Sequence, residues 1–201
     1  MSTGHPAAGC RCTGTVVIRL LRNPLTWVAV VALGVGAALG LYWFQPWKLV
    51  TDRTVTEALS SPAPALPPPA PTPALPPAAA ETTGPTIVTA GEFVTHEHDT
   101  SGSARIVRAA DGSHTLEIVG LDTSNGPDLR VWLTDQPVRS GVAGWRVFDD
   151  GAWVEVGRLK GNKGDQVYAL PSGLDPSAYR SVSIWCKRFA VSFGAAPLGA
   201  G

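Results

Sequence analysis

Apolar residues fall into three patterns along the 201-residue chain. In the first, Leu25 to Phe44 reads LTWVAVVALGVGAALGLYWF, 20 residues without a charge. A helix rising ~1.5 Å per residue covers about 30 Å over that length, the hydrocarbon thickness of a bilayer. The run closes on Tyr42, Trp43 and Phe44, with Trp47 soon after. Such aromatics suit a membrane interface better than a signal-peptide cleavage site. The pattern predicts an uncleaved transmembrane anchor over Leu25–Phe44. Arg11, Arg19 and Arg22 precede it; Lys48 and Arg53 follow, offset by Asp52 and Glu57. That bias puts the N-terminus in the cytoplasm and the bulk of the chain outside the cell membrane. Gly36 and Gly40 make a GxxxG spacing, on which a homodimer could form. Small residues are common in such helices, so the spacing alone is weak support.

The second pattern is proline. Nine prolines occupy the 16 residues from Pro62 to Pro77. Each fixes φ and removes an amide donor, so neither helix nor sheet is expected. As polyproline II the segment would reach about 50 Å, a stalk between membrane and outer domain. In the third pattern, from about Gly91, short alternating runs are divided by turn signals. The runs are Glu92–Thr95, Ala104–Arg108, His114–Val119, Leu129–Leu133, Trp153–Leu159, Gln166–Leu170 and Ser181–Phe193. Asp111-Gly112 and Asn125-Gly126-Pro127 mark turns, and Gln136–Gly151 reads as a long loop. About eight strands predict an all-β domain, a β-sandwich or a small barrel. The expected layout is a cytoplasmic tail 1–24, the transmembrane helix 25–44, a juxtamembrane and Pro/Ala-rich linker 45–85, and an extracytoplasmic β domain 86–201.

Charge narrows the function classes. Sixteen basic residues balance 16 acidic ones, which argues against a nucleic-acid partner. Cysteine is more informative: the chain has only Cys10, Cys12 and Cys186. The first two fall on the cytoplasmic side, where they read as reduced spectators, so Cys186 has no intrachain partner. In SVSIWCKRFAVSFG, Val182, Ile184 and Cys186 share one face by alternation. Beyond the cysteine the phase flips to Phe189, Val191 and Phe193. One long strand with a β-bulge at Lys187–Arg188 would restore a common face and aim Cys186 inward. Its thiol is then an inert buried group, an interchain partner, or a redox or cofactor centre with Lys187 and Arg188 favouring a thiolate.

Thr95-His96-Glu97-His98-Asp99 places two histidines at i, i+2 on one strand face, a spacing for a metal or an axial haem ligand. His96 is expected at the surface. There is no CxxCH motif, and the sole methionine is Met1. A His98–Cys186 pair is therefore the haem or metal constellation left to the outer domain. Asp122 and Asp128 flank the Asn-Gly-Pro turn and are expected to bond local backbone rather than calcium. No dedicated metal site, phosphate loop or catalytic triad stands out.

Four blocks in order, GEFVTHEHDTSGSARI, SNGPDLRVWL, VGRLKGNKGDQVYALP and YRSVSIWCKRFAVSFGAAPL, resemble the electron-transfer DM-thirteen domain family over about Gly91–Leu198. His98 and Gly102 match its early element, and Gly126, Pro127 and Asp128 its turn. Gly161, Gly164, Gln166, Tyr168 and Pro171 match its long motif; Trp185, Cys186 and Phe189 lie in the last block. Leu121 and Trp132 depart from the aromatic and the tyrosine usual there. The resemblance implies an extracytoplasmic β-rich module with a redox or electron-transfer role at Cys186, through a bare thiol or a bound group such as haem. No DOMON or cytochrome-type segment accompanies it, so the electron partner would be a separate protein. The alternative is a non-catalytic surface interaction domain with an inert buried cysteine.

Overall fold

The computed structural model describes residues 23–60 and 84–199. Cys10, Cys12, the N-terminal arginines and the Pro62–Pro77 run lie outside them. The chain divides after Gln45 into two units. The first is helix α1, Pro24–Phe44. The Asn23 side chain accepts from the Leu25 amide at 3.0 Å, Pro24 opens the first turn, and Gln45 stops the helix in a left-handed conformation. No residue of α1 is buried. The stretch Pro24–Lys48, mean hydropathy 2.0, is long and apolar enough to cross a membrane. By length and composition it qualifies as a signal anchor or a signal peptide.

The second unit is mostly β, with ten strands among the described residues: β1 Thr54–Thr56, β2 Thr86–Glu92, β3 Val94–Thr95, β4 Ser101–Arg108, β5 His114–Asp122, β6 Leu129–Thr134, β7 Trp153–Arg158, β8 Lys163–Ala169, β9 Ser181–Cys186 and β10 Val191–Pro197. They form two five-stranded sheets, ordered β1-β8-β5-β4-β2 and β3-β10-β9-β6-β7, in a sandwich-like arrangement. Every pairing is antiparallel except β1 on β8. Alternation sends Ile106, Leu116 and Ile118 of the first sheet and Val131, Leu133, Ile184 and Cys186 of the second into one shared core. Trp132 and Trp185 point the other way, into a smaller core with Phe148 and Ala195. Phe148 belongs to the strandless stretch between β6 and β7, the long loop expected from the sequence.

The final strand differs from expectation. Ser181–Phe193 is not one bulged strand: β9 ends at Cys186 and β10 starts at Val191, directly opposite it. Lys187–Ala190 is a turn, closed by the Phe189 amide donating to the Cys186 carbonyl at 3.2 Å. The turn reverses the chain, which is why the apolar phase flips there. A register shift does occur in this pair, but between Ser192 and Gly194.

Residues 46–60, counted with the linker in the sequence, belong to the β unit instead. β1 adds to the sheet edge beside Lys163–Asp165. The Asn162 side chain accepts from the Arg53 amide at 2.7 Å and donates to Asp52 Oδ1 at 2.7 Å. Glu57 binds Lys160 Nζ at 2.7 Å and accepts from the Val167 amide at 2.7 Å. Deepest is Glu117, whose side chain is fully buried. It accepts from the Ser60 amide and from Arg105 Nε, each at 2.7 Å. Residues 46–60 and 84–199 thus lie in one unit, and the proline-rich run expected as a stalk lies outside the described residues. Gly164 permits the docking: its φ is +94°, and a Cβ there would overlap the Val55 carbonyl oxygen.

Two expectations follow. Burial pushes the Glu117 carboxyl up, but the Ser60 amide and Arg105 outweigh it and hold the group below the ordinary carboxylate value. Such a group adds stability above its unfolded pKa of about 4.3, and that stability is lost as pH falls through the lower folded value. Glu117→Gln should cost about 3 kcal/mol in urea unfolding at neutral pH, as for breaking a buried pair, and should weaken the acid dependence. An unchanged midpoint and acid limb would show that Glu117 does not hold the segment. Gly164→Ala should release β1, read as faster tryptic cleavage after Arg53 than in the parent. Equal cleavage rates would count against the docking.

Candidate functional site

Cys186 closes β9, with Leu129 of β6 and Val191 of β10 as its neighbours across the sheet. The side chain has no exposed surface, and the cysteine is free. Three features fix its surroundings. The Lys187–Ala190 turn folds over it, the Lys187 amide donates to the Asp128 carbonyl at 3.0 Å, and Ala190 takes a left-handed φ of 49°. Arg146 reaches in from the β6–β7 loop and donates to the Phe189 and Ala190 carbonyls at 3.2 and 3.3 Å. The backbone amides of Phe189, Arg188 and Asp128 lie near enough to the sulfur to favour its charged form.

These surroundings act in opposite directions on the thiol proton. Burial is the larger effect and pushes the pKa up. The three amides favour negative charge on sulfur, and the charge of Glu97 opposes it. The balance lies above the ordinary thiol value, so the group is a protonated thiol at neutral pH. That disfavours the option in which Lys187 and Arg188 stabilise a thiolate. Lys187 Nζ is engaged with Glu155 at 3.4 Å instead.

The two histidines part company. Both lie beyond the end of β3, so they do not share a strand face. His96, expected at the surface, is buried. Its Nε2 donates to the Arg139 carbonyl at 3.0 Å, and its Nδ1 then accepts from Ser192 Oγ at 2.9 Å. Burial is the larger influence on this ring and lowers its pKa, leaving it neutral. His98 is partly exposed, packs its ring on Phe193 at 3.9 Å and stands 4.0 Å from Glu97. Among the described residues no hydrogen bond or ring contact joins His98 to Cys186. No group of three His, Cys, Asp or Glu side chains there could hold a metal ion. A haem held between His98 and Cys186 does not fit these residues. The sulfur is enclosed by packed strands and backbone amides, and the imidazole is spent on Phe193.

The remaining motif residues divide into two groups. Near the thiol, Gly126 keeps the turn tight, since a Cβ would come within 3.0 Å of Leu129 and Phe193. Pro127 accepts from Lys48 Nζ at 3.3 Å, and Asp128 binds Arg130 at 2.8 Å. Phe189 and Trp185 belong to the turn and to the strand before it. The second group closes around residues 46–60. Gln166 Oε1 accepts from the Lys160 amide at 3.0 Å and from Tyr168 Oη at 2.8 Å, and its Nε2 donates to the Gly161 carbonyl. Burial pushes the Tyr168 phenol up to about 12. Gly161 leaves room for the Arg53 carbonyl, and the Pro171 carbonyl accepts from the Leu174 amide. Gly102, at φ +105°, lies at the start of β4, where a Cβ would come within 2.7 Å of the Gly120 and Val119 carbonyls. Asp122, considered for calcium, is paired with Lys163 at 2.7 Å.

Sequence reasoning missed one constellation. Trp153, Trp132 and Trp185 stack on the outer face of the second sheet. The signal was present: Trp132 and Trp185 sit exactly out of phase with the core residues of their own strands.

Comparison with known proteins places the geometry in context. No curated protein and no solved structure matches this chain. The family model described as Electron transfer DM13 matches residues 92–198, more than half of the chain, and spans the thiol, its covering turn and strands β3 to β10. The chain belongs to the electron-transfer DM13 family.

Proposed function

We propose that this chain is a membrane-anchored, extracytoplasmic electron-transfer module whose redox centre is the bare thiol of Cys186. The observation that carries the reading is the enclosure of the sulfur: it has no exposed surface, and that burial pushes the thiol pKa up. A reagent that must touch sulfur, as in disulfide exchange, is shut out, and the thiolate it would need is disfavoured. An electron needs no contact with solvent. The step in keeping with this site is one-electron oxidation. The thiol gives one electron to a one-electron acceptor carried by a separate redox protein and releases its proton, leaving a thiyl radical. The amides stabilise electron-rich sulfur on the return step. α1 serves as the uncleaved anchor, with the arginines before it on the cytoplasmic side.

Two experiments test this. In the full chain, Cys186 should alkylate far more slowly than Cys10 and Cys12 and should match them after denaturation. Its pKa is raised on folding, so it adds stability that is fully present below the unfolded thiol pKa of about 8.5 and fades as pH rises through the folded value. Cys186→Ala should remove that alkaline loss. Rapid alkylation of the native thiol would refute the enclosed centre. Failure of every one-electron oxidant to consume Cys186 would leave the inert interaction domain as the correct reading. For topology, alkaline phosphatase fused after Gly201 should be active, and the mature chain should retain Leu25–Phe44 by mass. An expressed but inactive fusion would overturn the orientation, and a mature chain beginning after the helix would make it a signal peptide.

A further inference from the structure

Trp153, Trp132 and Trp185 stand on β7, β6 and β9, three strands adjacent in one sheet. The rings of Trp153 and Trp132 are 4.0 Å apart by centroid and within 5° of parallel. Those of Trp132 and Trp185 are 5.0 Å apart at 24°. Trp153 is 40% exposed, whereas Trp132 and Trp185 are buried. Trp185 immediately precedes Cys186, so its indole and the thiol lie on opposite faces of the sheet, joined through one peptide unit. A continuous π-stack therefore runs from solvent to the residue bonded to the sealed cysteine.

We propose that this stack is the electron path between Cys186 and the surface, with Trp153 as its outer terminal. The inference rests on the reading of Cys186 as the redox centre. It supplies what that reading lacks, a route to a sulfur that nothing can touch. A one-electron oxidant of high potential, metal-centred or radical, takes one electron from Trp153 and leaves an indole radical cation. Trp132 reduces Trp153, and Trp185 then reduces Trp132. The Cys186 thiol gives one electron to Trp185 and releases its proton to the medium. The products are the reduced oxidant, three restored indoles and a thiyl radical. Thiols and indoles are oxidised at similar potentials, so the last transfer is close to balanced. Trp132 Nε1 is buried and has no acceptor among the described residues. Its radical cation therefore keeps its proton, and a single electron restores it.

The test uses the full chain in detergent with Cys10→Ser and Cys12→Ser, oxidised by flashes from a photo-excited ruthenium polypyridyl complex with a sacrificial acceptor. Two signals are read: transient indole-radical absorbance, and the fraction of Cys186 no longer alkylated after denaturation. Trp153→Phe and Trp132→Phe should each lower Cys186 oxidation severalfold, whereas Trp47→Phe, an exposed tryptophan outside the stack, should not. Cys186→Ala should lengthen the indole-radical lifetime. Trp153 is partly exposed, so its replacement tests the path even if Trp132→Phe fails to fold. Parental yields of Cys186 oxidation in a folded Trp153→Phe protein would overturn the path while leaving the redox centre standing. Indole radicals with no loss of Cys186 thiol in any protein would overturn both.

Discussion

The arrangement depends on one constraint: β9 is buried on both of its faces. All six residues from Ser181 to Cys186 are inaccessible. An antiparallel strand of a sandwich ordinarily keeps one face wet. Here the core-facing residues Val182, Ile184 and Cys186 are covered by the first sheet, and Ser181, Ser183 and Trp185 by the β6–β7 loop and its neighbours. The polar residues on the covered face are satisfied, Ser183 by Ser192 Oγ at 3.0 Å and Ser181 by the Gln136 carbonyl at 2.7 Å. Ser192 is in turn bonded to His96, whose other nitrogen holds Arg139 of the loop. This network ties the loop down, and Arg146 from the same loop clasps the turn over the thiol. Enclosure of the sulfur on one face and burial of the tryptophans on the other thus share one cause.

The second organising contact is the reach of residues 46–60 onto the edge of the first sheet. It places residues 46–60 in the same unit as residues 84–199. The β unit accordingly begins one residue after Gln45 ends the apolar helix. The family's long motif reads differently in this light. Gly161 and Gly164 leave room for the backbone of Arg53 and Val55, which lies outside the span matched by the family model, and Gln166 braces Lys160 and Gly161.

Much of the fold was legible because alternation reports a half-buried strand directly. Ile106, Leu116, Ile118, Val131 and Leu133 face the core as their period requires. β1 was not legible, because Thr-Val-Thr is too short and polar to show a period, and the segment around it is held by groups 57 to 110 residues away. The hairpin after Cys186 was missed for a different reason. Lys-Arg-Phe-Ala contains no glycine or asparagine, and the left-handed position is taken by Ala190. His96 was misjudged because its burial depends on a loop whose path no local pattern encodes. The tryptophan stack was overlooked because a search for the apolar face assigns the opposite face to solvent.

The chemistry of the site follows from how the two sides of β9 differ. On the core side, low polarity and the Glu97 charge keep the proton on sulfur, so electron loss there must be accompanied by proton loss. On the loop side, no acceptor among the described residues meets the Trp132 N–H, so electron loss would leave its proton in place. On the proposed path, charge moves along the indoles without rearrangement of protons, and the thiol is the point at which it becomes chemically fixed. A solvent-exposed thiolate would reverse that order, since it would react with any disulfide or peroxide before an electron arrived through the stack. For the proposed electron transfer, enclosure of the cysteine is thus a condition and not an obstacle.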